Sequence, residues 1–451
     1  MPCSSIRRNL DCSPSSGDLN YMQKNHFKAG LCLAAIIAAV PDSQPADWTQ
    51  YRGPTHDGSS PEKLTVSAWP SRGVKQVWKS PTPHGFSSFA VAGGRAFTIV
   101  MEEVDGVNRE ACLALNAETG NKIWSQILNI AKYDGGGNSG AKNNKGGDGP
   151  RSTPSTDGDR VYIFDGRMKL HCYDAKNGKS VWTRDLVSEH GGKAIRWQNA
   201  TTPIIDGELI FICGGGEDQS LLAINKLSGL TVWKGESDPG THASPIVTMM
   251  HGERQVIFFT QKGLVACNTL SGKVLWRAKH PFKVSTAASP VVEGDIVYCS
   301  SGYGVGASAF QVTKAGGEYS VKQLWRKRNK LMNHWSTPVC IDGHLYGMFQ
   351  FKEYGDGPLK CVELATGKIK WSQSGYGPGG VVLVDGYLIA TSDTGEVVIS
   401  KANSNKYREL GRFQAVEGKC WTHVAYSNGQ IYVRSTKEGA RYDLAGSLAK
   451  R

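Results

Sequence analysis

The sequence predicts an all-β fold: an eight-bladed β-propeller with four strands in each blade. Three observations lead to this prediction. A glycine hairpin signal occurs eight times, a tryptophan recurs every 43 to 58 residues, and 451 residues suit one large repeat domain. The 54 glycines fit many tight turns, and the absence of a strict Gly-X-Y period excludes collagen.

The hairpin signal is a glycine between two apolar, β-branched runs, most often as Asp-Gly, Glu-Gly or Asn-Gly, as in "PIIDGELIFI". A pair of residues that tolerates positive φ is the strongest short sequence signal for a tight hairpin. We therefore expect a hairpin at each of Gly94, Gly158, Gly207, Gly252, Gly294, Gly343, Gly386 and Gly429.

The tryptophan belongs to a second motif, in which a glycine precedes it by four residues, as in "GKVLWR" at 272–277. Short runs such as "LLAIN" and turns such as "KLSG" separate each hairpin from this motif, so each unit has four strands. We expect the aromatic side chain on each outer strand to pack against the neighbouring blade, where burial contributes on the order of 2–3 kcal/mol. The series consists of Trp78, Trp124, Trp182, Trp233, Trp276, Trp325, Trp371 and Phe413.

The order of the two series predicts how the ring closes. Trp78 precedes the first hairpin glycine, and no aromatic strand follows the last one, Gly429. We therefore expect the strand "VKQVWKS" to complete the last blade as its outermost strand, because closure removes the exposed sheet edges. The predicted domains are an N-terminal arm at 47–72, the propeller at 73–446 and a tail at 447–451.

Residues 1–46 are predicted to be an upstream extension followed by a secretory signal peptide. Lys24 and Lys28 precede an apolar stretch at 29–40, the pattern of an export signal, and translation is expected to start at Met22. The stretch is too short to cross a bilayer core of about 30 Å comfortably. We expect a soluble mature chain in the periplasm or outside the cell, with an uncleaved N-terminal anchor as the open alternative.

The net charge bears on the class of binding partner, and the spacing of the cysteines bears on their structural role. The formal charge of +12 is spread along the chain, which does not favour nucleic acid but is compatible with an anionic glycan. Eight of the eleven cysteines follow Val40, and none forms a C-x-x-C motif. Cys172 and Cys361 occupy a repeat position that holds alanine in other units, so we interpret them as small buried side chains.

The repeats "LLAINKLSGLTVW", "LHCYDAKNGKSVW" and "CVELATGKIKW" resemble the tryptophan-docking repeat of quinoprotein-like (pyrroloquinoline-quinone-like, PQQ-like) β-propellers. The resemblance covers residues 73 to about 446. The segment "DWTQYRGPTHDGSS" at 47–60 is similar to the arm that precedes such propellers in many exported bacterial proteins. The family includes quinone-dependent alcohol dehydrogenases, an outer-membrane assembly lipoprotein, and sensor domains of bacterial serine/threonine kinases, and the fold does not choose among these.

For an enzyme of this family the resemblance implies a quinone, usually calcium, carboxylate and amide ligands for the ion, a catalytic Asp and a disulfide between adjacent cysteines. This sequence has no adjacent cysteines and lacks the long inserts that cover the cofactor. We therefore expect no cofactor, with PQQ and calcium as the alternative.

Other catalytic signals are also absent from the sequence. It contains no G-x-S-x-G, H-E-x-x-H or phosphate-loop motif, none of the kinase motifs, and no evident carboxylate pair for glycoside chemistry. The glycine-rich stretch at 133–150 is predicted to be a loop between the first two blades.

In most blades the innermost strand begins with a Ser/Thr-Pro step, as in "RSTP", "ATTP" or "HASP". The candidate ligand-binding residues come just before this step. Aromatic, cationic and imidazole groups that converge on one channel mouth would suit a ligand. The alternative is that these bulky residues only plug the channel. A metal site built from the three histidines is not favoured, because no carboxylate is obvious nearby. The candidates are Phe86, Arg151, Asn199, His242, Thr286, His334, Trp335, Trp421 and His423.

Together these observations predict an exported, non-catalytic propeller that acts as a binding scaffold in the cell envelope. The expected partner is an envelope protein or an anionic glycan. Two alternatives stay open: a divergent quinone-dependent dehydrogenase that uses the mouth residues, and a sensor-type propeller related to kinases but without a kinase domain.

Overall fold

Eight antiparallel sheets follow one another around a ring, as the hairpin and tryptophan series predict. The structure, a computed structural model, describes residues 46–64, 73–133, 149–349 and 357–444. The predicted signal peptide, the start at Met22, most of the 133–150 loop and the tail at 447–451 lie outside these ranges. Within them, no helix has both the length and the apolar character needed to cross a membrane.

In blades 1 to 4 the four strands follow one another from the channel outward. Blade 1 contains Ala90–Ala92, Arg95–Val104, Val107–Asn116 and Lys122–Ile130. Blade 2 contains Ser155–Thr156, Arg160–Phe164, Lys169–Asp174 and Ser180–Asp185. Blade 3 contains Ile204–Asp206, Leu209–Cys213, Leu221–Asn225 and Thr231–Gly235. Blade 4 contains Ile246–Met250, Glu253–Thr260, Gly263–Asn268 and Val274–Ala278.

The remaining four blades have the same order. Blade 5 contains Val291–Glu293, Ile296–Ser301, Gly306–Ala315 and Glu318–Lys327. Blade 6 contains Val339–Ile341, His344–Met348, Leu359–Glu363 and Ile369–Gln373. Blade 7 contains Gly380–Val384, Tyr387–Thr391, Glu396–Lys401 and Glu409–Gln414, and blade 8 contains Ala425–Ser427, Gln430–Arg434, Glu438–Asp443 and Lys75–Pro81.

The predicted closure is confirmed. Lys75–Pro81 pairs antiparallel with Glu438–Asp443 and forms the outer strand of blade 8. Every predicted hairpin glycine lies between the first and second strands of its blade, and each has a positive φ. The first and last parts of the propeller are therefore joined in a single sheet.

The sequence patterns did not predict one short helix, Leu186–His190, which follows the outer strand of blade 2. Its N-cap is Asp185, whose carboxylate accepts hydrogen bonds from the backbone N–H groups of Val187 and Ser188. The helix ends at Gly191, which has a φ of 65°.

The Gly-x-x-x-Trp motif connects neighbouring blades. The indole Nε1 of Trp124 donates to the carbonyl oxygen of Ala175 in the next blade at 3.0 Å, and Trp78 bonds Ala117 in the same way. The glycine turn of that next blade lies over the indole ring. The glycine and the tryptophan of one motif therefore belong to two successive blade interfaces, which explains their repetition.

Small residues face the docked tryptophans across the sheet. Cys172 is the register partner of Trp182, and Cys361 is the partner of Trp371, while alanine holds this place in blades 1, 3 and 4. Both cysteines are completely buried, and burial raises the pKa of the Cys172 thiol to about 12. The described cysteines are all free, as expected of residues that fill space.

Two positions depart from the repeat. Blade 5 joins its outer strands by a tight turn at Gly316 and Gly317, and neither glycine lies over the indole of Trp276. That indole instead donates to the side-chain oxygen of Gln255 at 2.8 Å. Phe413 has no N–H to donate and packs edge-on against Tyr442, with the ring centroids 4.8 Å apart.

The N-terminal arm lies in the central channel. Ser59–Ser60 forms a short parallel strand beside the inner strand of blade 7, and Trp48 and Arg52 are almost completely buried. Arg52 donates to the carbonyl oxygens of Thr337 and Pro338 in blade 6, at 3.1 and 2.9 Å. Further hydrogen bonds join the arm to the inner strands or inner hairpins of blades 1, 2, 3, 4 and 8.

Replacement of Gly272 by alanine tests the docking of the turn on the indole. A Cβ at Gly272 would lie 2.7 Å from Cδ2 of Trp233, and its φ of +71° is unfavourable for alanine. Gly252 of the same blade is a matched control, because its φ is +74° and nothing lies within 4 Å of a Cβ there. We expect Gly252→Ala to cost about 1–2 kcal/mol and Gly272→Ala to cost a further ~1–3 kcal/mol from overpacking.

Urea unfolding followed by tryptophan fluorescence measures both variants. The docking interpretation predicts a clearly lower midpoint for Gly272→Ala than for Gly252→Ala. Equal midpoints would show that close contact with the indole does not contribute to stability at this interface.

Candidate binding site at the channel mouth

The segments that lead into the innermost strands converge on one cavity of about 440 Å³. Its wall includes residues from all eight blades, and the N-terminal arm contributes Tyr51 to it. The ring of Tyr51 lies 4.8 Å from the ring of His423, measured between centroids. Because the arm fills the channel behind Tyr51, the cavity is a cup that is open at one end.

Seven of the nine candidate residues line this cup. They are Phe86, Arg151, His242, His334, Trp335, Trp421 and His423. The other two do not line it. Thr286 is buried and donates to the hydroxyl of Ser301 at 2.8 Å, and the side-chain amide of Asn199 donates to the carbonyl oxygens of Phe164 and Asp165.

Aromatic rings form a nearly continuous belt around the mouth. Trp421 stacks on Phe86 at 5.0 Å and on Trp335 at 4.7 Å between ring centroids. The belt continues through His334 to Tyr303, with centroid distances of 4.6 and 4.9 Å. Offset and edge-to-face pairs of this kind stabilise one another and hold their faces in fixed positions.

Trp197 and Arg151 complete the belt. Tyr303 stacks on Trp197 at 6.4 Å, and Nη1 of Arg151 lies 3.4 Å from the Trp197 carbonyl oxygen. The guanidinium also lies over the rings of Phe86 and Tyr133, at 5.8 and 5.1 Å. Arg151 therefore joins the two ends of the aromatic belt.

Four aromatic or cationic residues of the wall were not predicted from the sequence: Tyr51, Arg196, Trp197 and Tyr303. Trp197 and Arg196 precede Asn199 by two and three residues. A candidate segment extended by these residues upstream of "ATTP" would have included both. Tyr303 comes from a loop between the second and third strands of blade 5, and Tyr51 comes from the arm. No local sequence signal indicates that either of these two faces the mouth.

A strained turn presents Trp197 to the cup. Trp197 and Gln198 both have positive φ values, 70° and 64°, which is costly for residues with a side chain. Asn199 holds the turn through its bonds to blade 2, and Nε2 of His242 donates to the Gln198 carbonyl oxygen at 2.9 Å. Asn199 is thus a positioning residue for the turn and not part of the wall.

The Ser/Thr-Pro steps have a structural role of their own. The hydroxyl of Thr202 accepts from the backbone N–H of Thr153 at 3.2 Å, and that of Ser244 accepts from the N–H of Thr202 at 2.9 Å. Likewise, the hydroxyl of Thr337 accepts from the backbone N–H of Ser289 at 3.0 Å. These hydroxyls link successive inner strands by satisfying backbone donors, which is why a hydroxyl residue precedes the proline.

The charged side chains among the described lining residues are both basic. Arg151 and Arg196 line the cup, and none of the lining side chains, all of them in the described ranges, is a carboxylate. Nη1 of Arg151 donates to the Gly149 carbonyl oxygen at 3.1 Å. Behind this arginine, the hydroxyl of Tyr133 donates to the buried carboxylate of Glu110 at 2.6 Å, which anchors the ring under the guanidinium.

The histidines of the wall are neutral near pH 7. Burial, and then the charge of Arg151, lower the pKa of His242 to about 4. Burial also lowers the pKa of His423 to about 4, with a further contribution from Arg52, and the pKa of His334 is lowered by burial and by His242. Nδ1 of His423 donates to the Val424 carbonyl oxygen at 2.8 Å, so Nε2 holds the lone pair.

The donor set does not fit the calcium and quinone that the family resemblance implies for an enzyme. Calcium requires about six to eight oxygen ligands, usually including carboxylates. The described residues of the wall provide no carboxylate, and the side chain of Asn199, the one candidate residue with an amide, is held by backbone carbonyl oxygens outside the wall. Across the described ranges there is also no cluster of three or more histidine, cysteine, aspartate or glutamate side chains that could hold a metal ion.

Comparisons with known proteins agree with this architecture. The family model described as outer membrane protein assembly factor BamB matches residues 108–373, more than half of the chain. An outer membrane protein assembly factor BamB from Moranella endobia (strain PCIT) is 21% identical over 298 residues, which are 62% of this chain and 68% of that protein.

Solved structures show the same fold. BamB from Moraxella catarrhalis superposes with a TM-score of 0.56 at 15% identity, covering 82% of this chain and 97% of that one. The quinohemoprotein alcohol dehydrogenase ADHIIG from Pseudomonas putida HK5 superposes with a TM-score of 0.60 at 13% identity, covering 91% and 81%. At such identities the likeness concerns the fold alone.

The neutral histidines predict how stability depends on pH. An unfolded histidine has a pKa near 6.5, so between pH 6.5 and 4 the unfolded chain binds more protons at His242 and His423 than the folded chain does. Stability therefore falls as the pH falls through this window. Each of these two histidines lowers the free energy of unfolding by an amount on the order of 1–2 kcal/mol between about pH 6.5 and 5.

Urea unfolding at several pH values measures this slope, and His423→Gln removes one of the histidines whose pKa is lowered in the folded protein. We expect the variant to show the smaller loss of stability on acidification. An unchanged slope would mean that His423 is not held neutral in the folded protein.

Proposed function

This chain belongs to the outer membrane protein assembly factor BamB family, and we propose that it acts as a protein-binding scaffold in the cell envelope, without a reaction of its own. The observation that carries the proposal is the family match across blades 1 to 6. The relatives are described as assembly factors for outer membrane proteins. A rigid propeller with different surfaces at its two ends suits a protein that holds partners together.

An apolar surface at the end opposite the mouth supports protein binding. Leu230 and Leu270 are 67% and 77% exposed, and they occupy equivalent turns of the neighbouring blades 3 and 4. Leu227 and Met249 are exposed at the same end of these two blades. Large exposed apolar side chains on adjacent turns are typical of an interaction surface. We name these four residues the turn surface.

The dehydrogenase alternative is not favoured, because the described residues that line the cup include no carboxylate ligand for a calcium ion. Nothing in the described residues favours the sensor alternative over the scaffold. Location in the envelope is part of the proposal and rests on the family and on the export signal expected from the sequence.

The double variant Leu230→Asp with Leu270→Asp tests the turn surface. Burial of each leucine at an interface contributes about 1.5–3 kcal/mol, so two buried charges should reduce partner recovery about tenfold or more. The tagged chain would be used to capture proteins from solubilised envelopes of its own cells. Quantitative mass spectrometry would compare the recovery of outer-membrane assembly proteins.

Ile369→Asp is the control, because Ile369 is 43% exposed on the outer strand of blade 6, away from the turn surface. We expect the wild type and this control to recover the same assembly proteins. Equal recovery by all three forms, or none by the wild type, would contradict the proposal.

A further inference from the structure

Two loops at the mouth end of the propeller, one after blade 4 and one after blade 5, carry four exposed basic side chains. They are Lys279, Lys283, Arg328 and Lys330, and we name these four residues the basic rim. We propose that the basic rim binds an anionic lipid bilayer by electrostatic attraction to the phosphate groups of its lipids. The proposal goes beyond the scaffold function and does not depend on the turn surface, which lies at the opposite end of the propeller.

The two loops emerge at equivalent places on neighbouring blades. The inner strand of each blade begins at the mouth, so the outer strand of a four-stranded antiparallel blade ends at the mouth end. Lys279 is the first residue after the outer strand of blade 4, and Arg328 is the first after that of blade 5. Nδ1 of His280 lies 3.1 Å from the hydroxyl oxygen of Ser308, the register partner of Arg326 in blade 5. The first loop is therefore bonded to the sheet that ends in the second, and the four cations share one sector of the mouth end.

Buried residues in both loops explain why the basic side chains are exposed. In the first loop His280 is buried, while Lys279 before it and Lys283 after it are exposed. In the second loop the chain turns at Asn329, which has a φ of 50°, and Leu331 is buried. The buried residue anchors each loop to the propeller, and the cations beside it remain in water because burial of an unpaired charge is costly.

No carboxylate in the described part of the chain neutralises the basic rim. None of its four residues forms an ion pair with a described acidic residue. Asp238, in the connection from blade 3 to blade 4, is already paired with Arg277 and Lys262, at 2.7 and 3.2 Å. The mouth-end connections that follow contain no Asp or Glu in their sequence. These connections are residues 261–262, 279–290, 302–305 and 328–338.

The arrangement of these cations favours a surface over a small anion. None of the four lines the cup, and they project from two loops at the outer edge of the ring. Three of the four are lysines, which act as point charges, whereas precise recognition of a carboxylate usually employs the planar fork of arginine. Each Lys or Arg near an anionic bilayer strengthens binding about fivefold, without a shaped pocket.

An aromatic ring in the first loop agrees with a lipid surface. Phe282 is only partly buried, and it stands directly before Lys283 and three residues after Lys279. Aromatic side chains beside basic ones are typical of segments that lie at the boundary between lipid headgroups and water. Binding through the basic rim places the mouth end against the bilayer, so the turn surface at the far end stays accessible to a protein partner.

Co-sedimentation of the purified chain with lipid vesicles tests the proposal. Vesicles of phosphatidylcholine alone are compared with vesicles in which about a quarter of the lipid is phosphatidylglycerol. We expect about tenfold or more stronger binding to the anionic vesicles, and most of it should be lost between about 0.05 and 0.5 M NaCl because salt screens exposed charges. This comparison needs no altered protein, so it does not depend on the folding of a variant.

Replacement of all four rim residues by glutamine should weaken binding to the anionic vesicles about tenfold or more. A matched control replaces four exposed lysines in far-end turns or just after them by glutamine, which lowers the net charge by the same amount. The control lysines are Lys176, Lys179, Lys273 and Lys368. We expect the control to bind anionic vesicles about as well as the wild type, because its substitutions lie away from the bilayer.

Polyglutamate and heparin are titrated in parallel as a soluble anionic peptide and a soluble anionic glycan. Binding of either that requires the rim residues, without binding of vesicles, would assign the surface to an acidic protein or glycan and overturn the bilayer. Absence of vesicle binding by the wild type, equal binding to neutral and anionic vesicles, or equal weakening in the rim variant and the control would also overturn it.

Discussion

The propeller depends on one repeated contact, the indole of one blade beneath the turn of the next. The same contact closes the ring, because Trp78 comes from the N-terminal strand of blade 8 and donates to Ala117 of blade 1 at 3.0 Å. The angle between neighbouring blades is thus set by the same packing around most of the circle. Since no blade can tilt without disturbing two interfaces, the diameter of the channel and the positions of residues at its mouth are fixed together.

That ring leaves a channel which the inner strands alone do not fill, and the arm occupies it. A buried guanidinium is costly unless its N–H groups are satisfied. Arg52 meets this requirement through the carbonyl oxygens of His56, Asp57, Thr337 and Pro338, and burial lowers its pKa. The arm is therefore held by the backbone of the propeller itself. The position of Tyr51 at the floor of the cup sets the depth of the cup.

Periodicity explains which parts of this architecture could be predicted from the sequence. Hairpin glycines and docking tryptophans repeat because each is required by local backbone geometry or by contact with an adjacent blade, so the blades and their closure were predictable. The path of the arm depends on contacts with seven separate blades and leaves no periodic signal. Asn199 was predicted in the wall instead of Trp197, because two consecutive residues of positive φ redirect the chain there.

The two ends of the ring differ in chemistry for reasons that lie in the fold. At the far end, the turns that pack on the indoles project from the ring, and residues in them such as Leu230 and Leu270 are exposed. At the mouth, the segments leading into the inner strands crowd together, and burial keeps His242 and His423 neutral. The positive charge there comes from Arg151 and Arg196, whose guanidiniums remain charged at all physiological pH values. The basic character of these two lining side chains is consequently a constant property of the folded ring and does not depend on the titration of its histidines.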